Sequence, residues 1–139
     1  MEFKSNSVLE TEKIAKNLAS SFQGDEIIAL YGDLGVGKTA FTRGIADYFG
    51  IKDEVSSPTF SIVNEYCGKF KIYHFDMYRV TTFEELESTG FFDYIGNGII
   101  IIEWSENIES ELPKNLIKVK ISKIGNDSRL ISIERSDKD

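Results

Sequence analysis

The apolar positions of the chain follow two rhythms, and the points where one gives way to the other predict the elements. Between Ser7 and Phe22, the residues Val8, Ile14, Ala15, Leu18, Ala19 and Phe22 recur mostly three and four apart, with Lys13, Lys16 and Asn17 between them. That period predicts an amphipathic helix, capped by Ser5 or Ser7 and closed by Gln23-Gly24-Asp25. Residues 26–31 are an apolar, β-branched run and predict a strand, after which Ala40–Phe49 returns to the helical period and ends at Gly50. A loop of charged and small residues fills 51–57. The second half of Ser57–Tyr66 alternates, Cys67-Gly68-Lys69 turns, and Phe70–Asp76 continues as the other arm of a β-hairpin. Residues 83–95 predict two short helices, and Gly98–Ile102 is the unbroken apolar run of a strand buried on both faces. Beyond Pro113, Leu116–Ile121 and Leu130–Glu134 alternate on either side of Gly125-Asn126-Asp127, a C-terminal antiparallel hairpin followed by a frayed tail, Arg135–Asp139.

Strands alternating with helices give an α/β class, and no internal repeat or low-complexity linker divides the chain. At 139 residues it fits one domain, 1–139, in three layers, with a mostly parallel central sheet and antiparallel hairpin additions.

The chemistry sits where the first buried strand meets the next helix. Gly32-Asp33-Leu34-Gly35-Val36-Gly37-Lys38-Thr39 satisfies G-x-x-x-x-G-K-[ST] at every fixed position, after Ile27-Ile28-Ala29-Leu30-Tyr31. A triphosphate must be held by backbone N–H groups turned inward, which glycine allows, at a helix N-terminus whose dipole favours the anion. Lys38 then reaches the β- and γ-phosphates and the Thr39 hydroxyl is a ligand for Mg²⁺.

Two acids end strands, and such an enzyme needs one to hold Mg²⁺ and often another to order water. Glu103, closing the buried run, is the first choice for the metal, and Asp76, closing an alternating strand, for the water. His74, the single histidine, shares a strand face with Asp76 and reads as a structural imidazole. Trp104 is either core or an aromatic lid, and Ser57-Pro58-Thr59 either a switch that senses the γ-phosphate or a proline-stiffened strand entry. Thr11 reads from periodicity as a solvent-facing helix position.

Charge and composition narrow the class. A net charge of -7 argues against autonomous binding of tRNA or DNA, which depends on Lys and Arg neutralising phosphates, so nucleic acid is expected to meet this chain through a partner. The N-terminus shows no secretory pattern and no apolar run approaches a membrane span, so a cytoplasmic location is expected. The single Cys67 has no second cysteine for a disulfide or a zinc site and reads as a passive thiol in a turn.

Taken in order, GDLGVGKT at Gly32–Thr39, SPTF at Ser57–Phe60, HFDMYR at His74–Arg79 and IEW at Ile102–Trp104 resemble the TsaE (YjeE) family over essentially the whole chain. The resemblance implies the three-layer phosphate-loop (P-loop) nucleoside triphosphate hydrolase fold and a bacterial ATPase needed to make threonylcarbamoyladenosine in tRNA, working with TsaD and TsaB and meeting tRNA through that complex. It further implies that Thr39 and Glu103 bind Mg²⁺, that Asp76 and Trp104 belong to the active site with Lys38, and that Thr11 and Arg129 lie near the adenine end. The nucleotide-binding set is then Thr11, Gly32, Asp33, Leu34, Gly35, Val36, Gly37, Lys38, Thr39, Ala40 and Arg129, for ATP. The chain departs from the family pattern at Ser105, where a proline often follows the tryptophan.

Two other classes compete. HFDMYR gives a small-molecule kinase a foothold through Arg79, although only Arg43, Arg79, Arg129 and Arg135 are available and an arginine-rich lid is missing. A nucleotide-gated scaffold with negligible hydrolysis is the non-enzymatic reading. GTP is disfavoured, since no N-K-x-D or T-K-x-D segment occurs.

Overall fold

The computed structural model describes residues 1–33, 35–52, 55 and 63–135. Among the described residues, seven strands form one mixed sheet in the order β1-β7-β6-β2-β5-β4-β3, with β1 Glu2–Ser5, β2 Ile27–Tyr31, β3 Val63–Cys67, β4 Lys71–Asp76, β5 Ile99–Glu103, β6 Ile117–Lys123 and β7 Arg129–Arg135. The inner four, β6, β2, β5 and β4, pair in parallel, while both margins are antiparallel. Both predicted hairpins form, as β3–β4 and β6–β7. Cys67 is the exposed last residue of β3 and not part of the turn.

Helices cover both faces because the inner strands are apolar on both faces. Ile28 and Leu30 of β2, with Ile99 and Ile101 of β5, pack under α1 (Val8–Ala19) and α2 (Lys38–Tyr48) through Ala15, Ala19, Phe41 and Ile45. The alternate residues Ile27, Ala29, Ile100 and Ile102 pack with Tyr73 and Phe75 against α3 (Phe83–Ser88), α4 (Phe91–Tyr94) and the 3-10 helix Ser105–Glu111.

Helix ends follow local chemistry. The Ser7 hydroxyl accepts from the Glu10 amide and starts α1, and α2 stops at Phe49 with Gly50 in the left-handed region at φ +76°. The α1 helix is shorter than its periodicity suggests, since Ser20 and Ser21 turn their hydroxyls back onto the carbonyls of Asn17 and Leu18.

Three further features either were not predicted or differ from expectation. The four-residue β1 pairs with β7 from Glu2↔Ser132 to Ser5↔Arg129, too short a run to carry a readable alternation. The segment after Trp104 coils as a 3-10 helix. Arg135, expected in a frayed tail, ends β7 and donates to the Ser21 hydroxyl at 2.9 Å. Leu34 and the Ser57–Phe60 segment, with its alternative readings as switch or strand entry, lie outside the described residues.

Candidate functional site

The candidate residues gather at one edge of the sheet, where the parallel strands β2, β4 and β5 all end. Register fixes two of them side by side: Asp76 of β4 and Glu103 of β5 are direct partners, and Leu30 of β2 pairs Glu103 from the other flank. Two residues beyond Leu30 the chain enters the glycine-rich loop, whose exit is the first turn of α2. Open α/β sheets place their crevice at this edge.

The loop conformation depends on its glycines. Gly32, Gly35 and Gly37 have φ of +145°, +82° and +116°, values that L side chains rarely adopt. A Cβ on Gly32 would also lie 2.6 Å from the Ile121 carbonyl oxygen of β6, so the loop is pressed against the sheet at its entry. Around Gly35 and Gly37 the corresponding space is open. Lys38 is buried, its Nζ donating to the Gly32 carbonyl at 2.7 Å and sitting 4.2 Å from the centroid of the Trp104 ring.

Trp104 is half-buried and so is neither wholly core nor a free lid. It has φ 62°, the only positive value of a non-glycine residue among the described residues, and its ring meets Tyr78 edge-on at 5.0 Å. The strained residue turns the chain from β5 into the 3-10 helix, and Ser105, the point of departure from the pattern in which a proline often follows the tryptophan, is fully buried. Asn107 from that helix donates to the carbonyls of Met77 and Tyr78, tying the exits of β4 and β5 together.

The two acids sit in unlike surroundings. Glu103 is 4% exposed, and its Oε2 lies 2.7 Å from Nε2 of His74, itself fully buried. Asp76 is half-exposed, and its Oδ1 accepts from the Tyr78 amide at 2.9 Å, a local turn at the strand end. The oxygen donors brought to this edge are two carboxylates and, in the first turn of α2, the Thr39 hydroxyl. That set suits a hard cation such as Mg²⁺, which takes one or two carboxylates and completes its shell with phosphate and water. No cluster of three or more His, Cys, Asp or Glu that could hold a metal ion occurs among the described residues.

The other predicted residues lie across the loop, around a cavity of about 360 Å³ lined by Val8, Thr11, Val36, Gly37, Ala40 and Arg129 among others. Thr11 is not solvent-facing: it is 2% exposed and its hydroxyl shares a hydrogen bond of 2.7 Å with Ser5 at the end of β1. Helical periodicity missed this because the covering element is the unpredicted edge strand. Arg129 acts on the loop as well as on the cavity, since its Nε donates to the Val36 carbonyl at 2.9 Å and its Nη1 to the carbonyls of Gly125, Asn126 and Ser128. Asp33 stands exposed on the loop.

Sequence reasoning also passed over the His74–Glu103 contact and the contribution of Asn6, Ser7, Val8 and Asp127 to the cavity wall. The shared strand face of His74 and Asp76 was a readable signal for the first. The second depends on bringing together segments more than a hundred residues apart, as the Ser128–Asn6 hydrogen bond shows.

Comparison with known proteins is consistent over most of the chain. The family model described as threonylcarbamoyl adenosine biosynthesis protein TsaE matches residues 5–131. The tRNA threonylcarbamoyladenosine biosynthesis protein TsaE of Rickettsia conorii is 44% identical over 130 residues, covering 92% of this chain and 74% of its own length. Its namesake from Bacillus subtilis is 41% identical over 125 residues, covering 88% and 78%. Among solved structures, Bacillus subtilis YdiB matches with a TM-score of 0.81 at 33% sequence identity, over 99% of this chain and 86% of that one.

Proposed function

Because the chain belongs to the TsaE family, which takes part in tRNA threonylcarbamoyladenosine biosynthesis, we propose that it is a Mg²⁺-dependent ATPase of the phosphate-loop fold that drives a partner complex. The observation that carries this reading is the convergence of Lys38 and the glycine-rich loop with Asp76 and Glu103 at one sheet edge. In this reading ATP lies across α2, its adenosine in the cavity of Thr11, Val36, Ala40 and Arg129 and its phosphates in the loop. Arg129 holds the Val36 carbonyl and so shapes the loop from behind.

Lys38 leaves the Gly32 carbonyl to meet the β- and γ-phosphates, and Trp104 keeps the space beside it dry. Thr39 and Glu103 would hold Mg²⁺, which when bound would supply charge neutralisation on the transferring phosphoryl group. Asp76, the more exposed acid, orients the water whose oxygen forms the new bond to the γ-phosphorus as the bond to the leaving ADP oxygen breaks; the water's proton passes to the phosphate product or to solvent, giving ADP and inorganic phosphate. The division follows the contrast in burial, Asp76 being half-exposed and Glu103 4% exposed.

The partners are TsaD- and TsaB-type proteins, and tRNA is met only through them, in line with the net charge of -7. A cytoplasmic setting follows from that role. Among the described residues, no helix is long and apolar enough to cross a membrane. The test is reconstituted tRNA modification over many turnovers, with and without this chain, in ATP and in a non-hydrolysable analogue. Sustained modification is expected only with both the chain and ATP. Equal yield with the analogue would remove the hydrolysis-coupled role, and phosphate appearing on a small acceptor would favour the kinase reading.

A further inference from the structure

β4 carries one residue that neither its core position nor the proposed chemistry yet explains. His74 lies between Ile72 and Asp76 on the sheet face beneath α1 and α2, among Ile72, Ile99 and Ile101, all fully buried. An aliphatic side chain would fill such a position without the cost of desolvating an imidazole. The ring instead reaches diagonally across the sheet from its own register partner, Ile101, to Glu103, and meets Oε2 at 2.7 Å. An ionised carboxylate only accepts, so the shared proton belongs to Nε2. The other ring nitrogen, Nδ1, is buried with no partner among the described residues. A histidine placed for core stability would satisfy both nitrogens, and leaving one bare works against stability. What the ring does achieve is to fix the rotamer of a strand-end carboxylate that is almost as buried as itself.

We propose that His74 is a positioning residue for the reaction proposed above: its Nε2–H holds the Glu103 carboxylate in the orientation from which it binds Mg²⁺ in the nucleotide complex. The role rests on the reading of Glu103 as the metal-holding acid. Groups that orient a metal-binding side chain in this way typically govern affinity by about 10- to 100-fold. The contact is made through Nε2, so a glutamine amide at position 74 reaches the same carboxylate, whereas the shorter asparagine amide falls at the level of Nδ1.

The experiment measures the free Mg²⁺ concentration that half-saturates thermal stabilisation by ADP, a readout independent of turnover, for the parent, His74→Leu, His74→Gln, His74→Asn and Glu103→Gln. His74→Leu and His74→Asn are expected to raise that concentration about tenfold or more, and His74→Gln to restore most of the loss. ADP affinity in EDTA is expected to be the same in all four position-74 proteins. In a Glu103→Gln background, His74→Leu is expected to add nothing, because the two changes remove one interaction. Should His74→Leu not fold, the Gln–Asn contrast carries the test alone. Unchanged Mg²⁺ dependence in the position-74 variants, equal behaviour of Gln and Asn, or an undiminished His74→Leu effect beside Glu103→Gln would overturn the role of His74. An unchanged Mg²⁺ dependence in Glu103→Gln itself would instead overturn the assignment of Glu103 as the metal-holding acid, and the role of His74 with it.

Discussion

The two faces of β4 divide the labour of the molecule between them. On one face Ile72, His74 and Asp76 run from the core under α1 and α2 to the candidate site. On the other, Tyr73 and Phe75 enter an aromatic cluster with Phe91 and Tyr94, whose rings lie 4.6 to 5.4 Å from theirs. Chemistry and cohesion thus alternate residue by residue along one strand. Since successive side chains point to opposite faces, polar groups can be brought to the sheet edge without interrupting the hydrophobic layer that holds the edge in place.

This difference is open to attack from each side. Phe75→Ala removes a fully buried ring that touches two others and is expected to lower the unfolding free energy by about 3–5 kcal/mol. Nucleotide affinity of the molecules still folded is expected to change little. Lys38→Ala should do the reverse, cutting ATP hydrolysis by about 10²–10³-fold through loss of a charge on the transferring phosphate. Its cost in stability is the bond to the Gly32 carbonyl and the contact with the Trp104 ring, together on the order of 1–3 kcal/mol. Urea melts and phosphate release on the same two proteins check both halves. The division between the faces fails if Phe75→Ala cripples hydrolysis per folded molecule or Lys38→Ala unfolds the chain.

A smaller effect separates packing from propensity in the layer above the site. Gly44 lies within α2, where replacing glycine by alanine ordinarily stabilises a helix by about 1 kcal/mol. Here an added Cβ would sit 2.4 Å from the Glu12 carbonyl oxygen and 2.8 Å from Cβ of Ala15, both on α1. The backbone of α1 has no flexible end to yield. Gly44→Ala is therefore expected to destabilise, by about 1–3 kcal/mol, and to strain the nearby Arg43–Glu12 ion pair of 2.8 Å. A rise in the urea midpoint would show that α1 can lift off α2 without penalty.

How far the sequence could be read follows from how local each determinant is. The glycine-rich loop, the buried run of β5 and both hairpins are written in contiguous residues, and all appear. Thr11 was misjudged because its environment is made by Ser5 and the β6–β7 turn rather than by α1. The adjacency of Asp76 and Glu103 requires β4 and β5 to pair across the intervening α3 and α4, which no local pattern specifies. Arg129 was placed near the nucleotide by resemblance, yet its bond to the Val36 carbonyl spans 93 positions of chain.

The smallest expected effect lies on the cohesive face, at the start of α3. The Thr81 amide donates to Glu85 Oε1 at 2.9 Å, with further bonds from the Thr81 hydroxyl and the Thr82 amide, and together they hold the Glu85 carboxyl below the usual glutamate range. A carboxyl with a lowered folded pKa stabilises through its charged form. Its contribution is complete above the unfolded glutamate pKa of about 4.3 and disappears as pH falls through the lower folded value. Glu85→Gln keeps an oxygen for the cap and loses only the charge. The stability gap between parent and variant, read from urea midpoints, is expected to be present at neutral pH and to narrow steadily as the solution is taken below about pH 4. A gap that stays constant into acid would mean that shape rather than charge holds the cap. Nucleotide binding at neutral pH should be the same in both proteins, because α3 packs on the sheet face opposite His74 and Glu103.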